Sequence, residues 1–547
     1  MGKINKVIIP AKPAEAFLSV GWGAIIGLIL ALSQPLYNLG ILVFPGFILF
    51  FLAIKILKSA ESFKLGFFIG LVYFLIYFRW YWAVFPLKHL GIDNPVLAFF
   101  FIFFVWIFTA GPMALLWGAG ARLWKTLDEK ISWPALLVFP SIFTVLEFLR
   151  SYLIGLVWMG RQTPIGPNWT NGNLTYNLHG SFLTLKLASW FGIYGVTFLV
   201  VFISLFLFIL WEKRKYKKLL ITALSLIFFL YFPALQDRPV ITGRSCNVPC
   251  IEVAIIQTKI PSQSSYTSGE ESAFFKDQLT LVNSIRENFP ETKLVVLPEA
   301  SNFFKTVTLF RNTAGASQYF SGLFAHPALI VDNSKIITDS GFQSKTIFLD
   351  SKKGILGSYD KHLLTPGGEY IPFLFRAMDI ILGLNSPAIK NAPEYKTGSH
   401  PPEAIIFSNE LSAASLICSD IFSPFLAQKG AINSKVLVAQ SSFGFAKDAP
   451  DLLRQDLAAA KFRAAESSRY LVKASNFGRS FIISDRGSLE KITPNLDSQI
   501  LTGSVVLKDN KTLYNKVGDG PILLASLMVV LASLFWRGGG EQFFVKT

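Results

Sequence analysis

The sequence contains few of the residues that bind metals and few charged residues. Among 547 residues there are 3 cysteines and 5 histidines, and the histidines are scattered along the chain. Without a cluster of Cys or His the sequence does not predict a metal site. Charged residues make up only 16% of the chain, whereas 52% are hydrophobic and 15% aromatic. This composition argues against a purely soluble protein and indicates a membrane protein.

Long apolar runs occupy most of the N-terminal part of the chain and recur near its end. Each run has nearly the ~20 residues that a helix needs to cross a bilayer. About eight transmembrane helices are therefore predicted, at 15–35, 38–57, 65–86, 94–118, 132–150, 187–211, 219–236 and 520–536. The sequence thus predicts a membrane domain at 1–238, a globular domain at 245–515 and a C-terminal transmembrane helix at 520–537. We expect the first helix to be retained, because no small-residue cleavage site follows it.

The excess of basic residues follows the predicted membrane topology. A net charge of +16 would also suit a nucleic-acid-binding protein, but the cations cluster in alternate loops between the predicted spans. They are Lys3, Lys6, Lys12, Lys55, Lys58, Lys64, Arg122, Lys125, Lys130, Lys213, Arg214, Lys215, Lys217 and Lys218. The positive-inside rule places such loops in the cytoplasm. We therefore expect both termini in the cytoplasm, the globular domain on the opposite side, and no nucleic-acid partner.

Two charged residues lie at the ends of predicted spans. Arg79 stands among aromatic residues near the outer end of the third span, and Glu147 lies near the end of the fifth. Charges in such positions usually face a cavity or a partner. For Arg79 the alternative is a side chain that reaches the lipid headgroups. The following loop, 150–186, is longer than a simple connection and is interpreted as part of a substrate entrance.

The globular region alternates short β-rich runs with helical patterns. Strands are predicted at 251–257, 293–297, 328–331, 345–350, 404–407, 412–418, 435–439, 470–474 and 480–484. Phe275, Leu279, Val282 and Ile285 recur at three- or four-residue spacing and predict a helix. Residues 451–468 also have a helix-forming composition. This mixture predicts a layered α/β domain with its active groups at strand ends.

Three short runs end on residues with chemically active side chains: Glu299, Lys361 and Cys418. A free thiol is a poor nucleophile at neutral pH, so a carboxylate must accept its proton and a cation must stabilise the developing oxyanion. We interpret Cys418 as nucleophile, Glu299 as base and Lys361 as oxyanion donor. The alternative for Cys418 alone is an inert core cysteine. His362 is another candidate for the base. Adjacent residues on a strand point to opposite faces, so at most one of Lys361 and His362 faces the thiol.

Several further motifs accompany these three residues. They are Leu-Glu-Phe-Leu-Arg at 146–150, Phe-Gly-Ile-Tyr-Gly-Val-Thr at 191–197, Pro298-Glu299, Tyr359-Asp360-Lys361, Gly368-Glu369-Tyr370-Ile371-Pro372, and Arg463-Ala464-Ala465-Glu466. With the predicted spans and the Glu-Lys-Cys order, they resemble the bacterial apolipoprotein N-acyltransferases, membrane enzymes of the nitrilase superfamily. The resemblance implies an αββα sandwich domain on the periplasmic side of the inner membrane.

The resemblance also implies a two-step acyl transfer that needs no metal or other cofactor. Cys418 would take an acyl chain from a phospholipid of the phosphatidylethanolamine type, and the α-amine of a lipoprotein's diacylglyceryl-cysteine would accept it. Glu369 matches a further active-site glutamate of the family; its alternative is a turn carboxylate that caps backbone amides. Two other functions remain open. One is a membrane-bound nitrilase-type amidase or hydrolase, and the other is a catalytically weak paralogue that binds lipid or lipoprotein.

Several positions near the triad depart from the family pattern. The family's Tyr-Glu after the cysteine is replaced by Ser419 and Asp420, which we assign as supporting active-site residues. Leu297 stands in place of the Trp before Pro-Glu, and the family's Thr-Asn-Asp-Ala-Trp-Phe-Gly is shortened to Gln440-Ser441-Ser442-Phe443-Gly444. These differences predict altered donor or acceptor choice, or weak activity.

Two other segments carry interpretations of their own. The segment after Glu369 is unusually apolar, with Phe373, Leu374, Phe375, Met378, Ile380, Ile381 and Leu382. It suits a lid that dips into lipid, and the alternative is a buried helix of the α/β domain. Cys246 and Cys250 are close enough in sequence for a local disulfide on the oxidising side of the membrane.

Overall fold

The computed structural model describes residues 11–128, 135–161, 163, 169–232, 250–261, 266–338, 341–391, 394–446 and 449–535. Its N-terminal half is helical. The helices are α1 (Ala11–Leu32), α2 (Val43–Ile56), α3 (Ser59–Tyr77), α4 (Pro95–Asp128), α5 (Ala135–Val157), α6 (Phe182–Glu212) and α7 (Tyr216–Tyr231). Short 3₁₀ helices occupy Gly40–Leu42, Arg79–Val84, Lys88–Leu90 and Leu174–Leu178. Residues 233–249 lie outside the described residues, as does Cys246, so the domain limits and the disulfide stay predictions.

Four helices of the described residues are long and apolar enough to cross a membrane. They are Ser59–Val84, Pro95–Asp128, Leu136–Val157 and Phe182–Glu212. Leu18–Leu32, Gly40–Ile56 and Gly520–Phe535 are apolar but shorter. A membrane-spanning part is thereby supported, whereas the number of eight spans is not confirmed.

The helices α4 and α5 continue well beyond the spans predicted at 94–118 and 132–150. The predicted fifth span ends at Arg150, and an isolated charge is unfavourable inside a bilayer. In the structure Arg150 Nε donates to Glu147 Oε2 at 3.0 Å, and Trp117 Nε1 donates to Glu147 Oε1 at 2.9 Å. Both charged side chains are fully buried. Because each charge has a partner, α5 continues past Arg150 to Val157.

Arg79 joins the helical part of the chain to the α/β part. Its guanidinium donates two hydrogen bonds to the carboxylate of Asp451, at 2.6 and 2.7 Å, and a third to the hydroxyl of Tyr37 at 2.6 Å. Paired bonds between a guanidinium and a carboxylate are strong and directional. Of the two interpretations of Arg79, the structure therefore favours a specific partner over lipid headgroups.

The second half of the described chain contains two six-stranded sheets. Their strands are β1 (Cys250–Gln257), β2 (Thr292–Val296), β3 (Leu329–Thr338), β4 (Gly341–Asp350), β5 (Gly354–Asp360), β6 (Ile405–Ile406), β7 (Ser412–Ile417), β8 (Val436–Ser442), β9 (Tyr470–Asn476), β10 (Phe481–Ile483), β11 (Leu489–Ile492) and β12 (Gln499–Val506). One sheet has the order β12-β1-β2-β3-β4-β5 and the other β11-β10-β9-β8-β7-β6. In the first, β1, β2 and β3 are parallel neighbours, whereas β3, β4 and β5 alternate in direction.

The two sheets pack face to face and carry helices on their outer faces. Val253, Val331 and Val438 belong to the core between the sheets. The helices that follow α7 in the chain are α8 (Ser268–Asn288), α9 (Phe303–Leu323), α10 (Phe373–Ile381), α11 (Pro387–Asn391), α12 (Pro424–Ala431), α13 (Pro450–Ser467), α14 (Leu513–Val517) and α15 (Gly520–Phe535). Residues of α8 and α9 form a core with the outer face of the first sheet, and α12 and α13 do so with the second. The predicted αββα sandwich is confirmed.

Some elements of this sandwich were missed or shortened by the sequence reasoning. The strands β11 and β12 and the helices α9 and α12 were not predicted. The strands β3 and β4 were predicted only as 328–331 and 345–350, but they form a hairpin that pairs as far as Thr338 and Gly341. Only the ends of β3 and β4 that enter the core have continuous apolar sequence. The remainder of the hairpin is held by backbone hydrogen bonds, which leave little trace in hydrophobic periodicity.

Candidate active site

The three candidate residues lie just beyond the carboxyl ends of three strands, as predicted. Glu299 follows β2, Lys361 follows β5 directly, and Cys418 follows β7 directly. The first two residues come from one sheet and Cys418 from the facing sheet. The sandwich therefore brings groups that are far apart in sequence to one end of the sheet pair.

Lys361 is the centre of a buried ionic cluster. Its Nζ lies 2.8 Å from Glu299 Oε1 and 2.9 Å from Glu369 Oε2, and it donates to Thr365 Oγ1 at 3.3 Å. The Lys361 side chain is only 1% exposed. Glu369 also accepts the backbone N–H of Thr365 at 2.6 Å. Both interpretations of Glu369 thus hold geometrically, since one carboxylate contacts the lysine and caps the turn.

The charges of this cluster determine the protonation states of Lys361 and Glu369. Burial by itself would lower the pKa of Lys361, but Glu299 and Glu369 together raise that pKa well above its usual value. Burial raises the pKa of Glu369; Lys361 opposes this shift and Glu299 adds to it. A buried ammonium between two carboxylates therefore stays charged at neutral pH. This is the state that an oxyanion donor requires.

Cys418 is half-buried and lies within the electrostatic field of the same cluster. Its φ of +49° is in the left-handed region, a strained conformation for a residue with a side chain. Burial raises the pKa of the Cys418 thiol; Glu299 raises it further, whereas Lys361 lowers it. Such a thiol is protonated at neutral pH. Cys418 therefore needs a neighbouring base before it can act as a nucleophile.

Glu369 offers a test of this electrostatic arrangement, because its carboxylate also raises the pKa of the Cys418 thiol. We expect Glu369→Gln to lower that pKa, so that alkylation of Cys418 by iodoacetamide shifts to lower pH. A shift of one pKa unit corresponds to about a tenfold faster reaction at a fixed pH below the pKa. The measurement is the pH profile of alkylation, followed by mass spectrometry. The exposed Glu410→Gln is the control, and an unchanged profile in Glu369→Gln would contradict the arrangement.

Ser419 and Asp420 brace the turn that follows β7. Ser419 Oγ donates to the carbonyl of Leu363. Asp420 accepts from Leu363 N at 2.8 Å, from Tyr359 Oη at 2.9 Å and from Ile417 N at 3.1 Å. These bonds fasten the turn to the segment around Lys361. The residues that differ from the family pattern here therefore support the turn. The assignment of Ser419 and Asp420 as active-site residues stays a prediction.

Gln440 links the two sheets beneath the site, a role that the sequence reasoning missed. Its Nε2 donates to Leu297 O at 2.7 Å, just before Glu299, and its Oε1 accepts from Thr346 Oγ1 at 2.6 Å and Ser415 Oγ at 3.2 Å. Gln440 is fully buried. The shortened motif at this position thus links β8 to β4 and to the end of β2 in the facing sheet.

Lys473 is a second buried cation near the nucleophile that was not predicted. It forms an ion pair with Asp456 of α13, and its charge lowers the pKa of the Cys418 thiol. A lysine in the middle of the apolar run of β9 was the sequence signal that could have identified it, because lysine is rarely buried without a partner.

A small cavity lies beside the segments that carry Lys361 and Glu369. It is lined by Gly155, Thr163, Trp169, His362, Leu363, Leu364 and Tyr370. Thr163 and Trp169 belong to the loop interpreted as part of an entrance. His362 lines this cavity and stacks on Tyr359, with ring centroids 6.0 Å apart. The two neighbouring residues thus have different surroundings, because Lys361 lies in the ionic cluster and His362 lines the cavity.

The segment that carries Glu369 is attached to the helical bundle. Tyr370 Oη donates to Trp158 O at 2.6 Å, and Phe373 N donates to Met159 O at 2.9 Å. The following helix α10 packs Phe375 against the bundle. The buried helix interpretation fits the face of α10 that carries Phe375, which is buried. The lid interpretation fits the opposite face, where Ile380 is 78% exposed.

Comparison with known proteins bears on the whole chain. Residues 26–206 match the family model described as the apolipoprotein N-acyltransferase N-terminal domain. The chain is similar to the apolipoprotein N-acyltransferases. The enzyme from Shewanella oneidensis is 24% identical over 435 residues, which cover 77% of this chain and 78% of that protein. The enzyme from Gloeobacter violaceus is 24% identical over 534 residues, covering 96% and 94%. The resemblance predicted from the motifs is confirmed.

Solved structures also align with part of the chain. The Saccharomyces cerevisiae protein Nit3, a member of the nitrilase superfamily, aligns with a TM-score of 0.35 and 17% sequence identity. The alignment covers 48% of this chain and 93% of Nit3. Among the described residues, no group of three or more His, Cys, Asp or Glu side chains is arranged to hold a metal ion.

Proposed function

We propose that this protein is an apolipoprotein N-acyltransferase that uses Glu299, Lys361 and Cys418. The observation that carries this proposal is the ionic cluster of Lys361 beside a half-buried cysteine on a strained turn. The similarity to apolipoprotein N-acyltransferases over most of the chain supports it. A buried, permanently charged ammonium suits the stabilisation of an oxyanion at an attacked carbonyl.

In the first step Cys418 attacks an ester carbonyl of a phospholipid of the phosphatidylethanolamine type. The thiol proton passes to Glu299, and Lys361 stabilises the oxyanion. When the ester C–O bond breaks, Glu299 returns the proton to the glycerol oxygen and the lysophospholipid leaves. The acyl chain then remains on Cys418 as a thioester.

In the second step the α-amine of a lipoprotein's diacylglyceryl-cysteine attacks the thioester. The amine loses a proton to Glu299 as the amide forms, and the Cys418 sulfur takes that proton as it departs. The free thiol is restored, so the cycle consumes no cofactor. This two-step scheme predicts ping-pong kinetics.

The proposed location is the bacterial inner membrane. The helices α1–α7 and α15 would be the eight spans, with both termini in the cytoplasm and the sandwich in the periplasm. The basic residues between alternate helices support this topology. The proposed domains are a membrane domain at 1–238, a catalytic domain at 245–515 and the final span at 520–537.

Lipid access is supported by the surface next to the site. The exposed face of α10 carries Phe373, Ile380 and Ile381, of which the last two are 78% and 69% exposed. An exposed apolar surface of this kind favours contact with lipid. Since the preceding segment is hydrogen-bonded to the end of α5, the site and its cavity would open close to the bilayer.

Intact mass spectrometry of the purified protein tests this function. After incubation with phosphatidylethanolamine, we expect the native protein to gain the mass of one acyl chain and Cys418→Ala to gain nothing. A diacylated lipopeptide should then discharge the adduct and appear as the triacylated product. Absence of the adduct in folded native protein would contradict the proposal. An adduct that water discharges as fast as the lipopeptide does would indicate a hydrolase instead.

A further inference from the structure

The hairpin of β3 and β4 extends beyond the core on the side of the active site. Alternate residues of a strand share one face. Val331 lies in the core between the sheets, so Asn333 and Lys335 project from that same face, further along β3. Asn333 Oδ1 accepts the backbone N–H of Ala300, next to Glu299, at 2.8 Å. Lys335 therefore stands beyond Asn333 on the face that carries the active site.

Lys335 lies between two aromatic rings at the edge of the site. Its Nζ is 4.2 Å from the ring centroid of Phe342 and 5.2 Å from that of Tyr395. The backbone N–H of Tyr395 donates to the carbonyl of Glu369 at 2.7 Å. Through Tyr395 the Lys335 ammonium is thus adjacent to the segment that supplies Glu369 to the catalytic cluster.

A second lysine lies beside the backbone of Lys335. Lys305, in the first turn of α9, donates from Nζ to the backbone carbonyl of Lys335 at 3.1 Å. In the part of the chain that the structure describes, neither ammonium forms an ion pair with a carboxylate. Burial lowers the pKa of Lys335 and the neighbouring Lys305 lowers it further, whereas Glu369 opposes the shift. Two half-buried like charges without a counter-ion are unfavourable, and an anion placed between them would relieve the repulsion.

We propose that Lys335 and Lys305 bind the phosphodiester of the acyl donor. This inference rests on the proposed function, because a glycerophospholipid carries its phosphodiester on the same glycerol as the ester that Cys418 attacks. The rings of Phe342 and Tyr395 hold the Lys335 ammonium in a setting of low polarity, where attraction to a phosphate is stronger than in water. The acceptor's reacting group is an amine, so the two lysines contribute to the first half-reaction only.

Two donors with the same acyl chains separate this role from a structural one. Phosphatidylethanolamine carries the phosphodiester, whereas a diacylglycerol has the same ester without it. For Lys335→Gln we expect kcat/KM of thioester formation from phosphatidylethanolamine to fall about tenfold or more, mostly through KM, as for loss of a charged hydrogen bond. The rate from diacylglycerol should change less than about twofold. Lys335→Arg should retain most of the native preference, because it keeps the charge.

A matched control lies at the opposite end of the same sheet. Lys353 is an exposed lysine in the turn between β4 and β5, and Lys353→Gln should leave both donors unaffected. An equal loss with both donors in Lys335→Gln, or no loss with either, would overturn the proposal.

A binding measurement distinguishes failure of this site from failure of the proposed reaction. Native mass spectrometry of Cys418→Ala protein, which forms no thioester, should show tighter binding of short-chain phosphatidylethanolamine than of the matching diacylglycerol. That preference should disappear in Cys418→Ala/Lys335→Gln and persist in Cys418→Ala/Lys353→Gln. If Cys418→Ala showed no preference for phosphatidylethanolamine over diacylglycerol, or if the preference survived in Cys418→Ala/Lys335→Gln, the phosphodiester site would be refuted. This conclusion would hold whether or not the enzyme transfers acyl chains.

Discussion

Lys361→Met should slow thioester formation on Cys418 by about 10²–10³-fold and also destabilise the protein. Loss of one preorganised oxyanion donor typically lowers kcat about 10²–10³-fold. The substitution also leaves Glu299 and Glu369 facing each other in a buried site, and breaking a buried ion pair usually costs about 3–5 kcal/mol. The rate of adduct formation by intact mass and the unfolding of the detergent-solubilised protein measure the two effects.

The pH dependence of this variant has a definite sign. Lys361 opposes the rise in the pKa of Glu369, so its removal raises that pKa further above its unfolded value. A raised carboxyl pKa means that the folded state holds its proton more tightly than the unfolded state. The stability of Lys361→Met should therefore be greater below the folded-state pKa and be lost as the pH rises through it. Equal destabilisation at all pH values would contradict this account.

A second substitution separates stability from catalysis. In Lys361→Met/Glu369→Gln one of the two facing carboxylates is neutral, so much of the stability should return. The rate of thioester formation should stay low, because the cation is still missing. If this double variant regained activity, Lys361 would not be the oxyanion donor.

Arg150→Met should have the second largest effect, through the membrane part of the chain. It leaves the Glu147 carboxylate unpaired within the helical bundle, which we expect to destabilise the fold by about 3–5 kcal/mol. Arg150 also donates to the carbonyls of Thr170 and Asn171, and the N–H of Thr170 donates to Phe422 O at 3.0 Å, in the turn after Cys418. Thioester formation should therefore slow as well. Thermal unfolding in detergent and the rate of adduct formation are the measurements.

Removal of both charges gives the control for Arg150. Glu147→Gln/Arg150→Met has no unpaired charge, and we expect it to recover most of the lost stability. Its thioester formation should stay slower than native, since the bonds to the Thr170 segment are still absent. If the double variant were as unstable as Arg150→Met, the loss would come from packing rather than from the unpaired carboxylate.

The sequence predicted those features of the candidate site that depend on short stretches of the chain. Glu299, Lys361 and Cys418 each follow a short β-rich run, so a residue at the end of a strand could be recognised without knowledge of its neighbours in space. Ser419 and Asp420 directly follow Cys418 in the sequence, and their supporting role stays a prediction. Their partners were not predictable, because Leu363 and Tyr359 are brought to Asp420 only when the two sheets pack.

The same limit explains the errors in the fold. Continuous apolar sequence marks the ends of β3 and β4 that enter the core, whereas their outer parts are held by backbone pairing. The fifth span was predicted to end at Arg150, whereas α5 continues to Val157 with Arg150 paired to Glu147 one helical turn away. Local periodicity reports burial along one segment, and it carries no information about which segments meet.

The sequence by itself determined which candidate catalytic side chains the chain carries, where its apolar segments lie, and the layered α/β character of its second half. These follow from side-chain chemistry and from periodicity, which are properties of short stretches. Only the tertiary structure decided that Lys361 lies between Glu299 and Glu369, that Asp451 pairs with Arg79, and that Lys335 stands beside the site. Each of these contacts joins separate segments of the chain, so it depends on the packing of sheets and helices rather than on any local pattern.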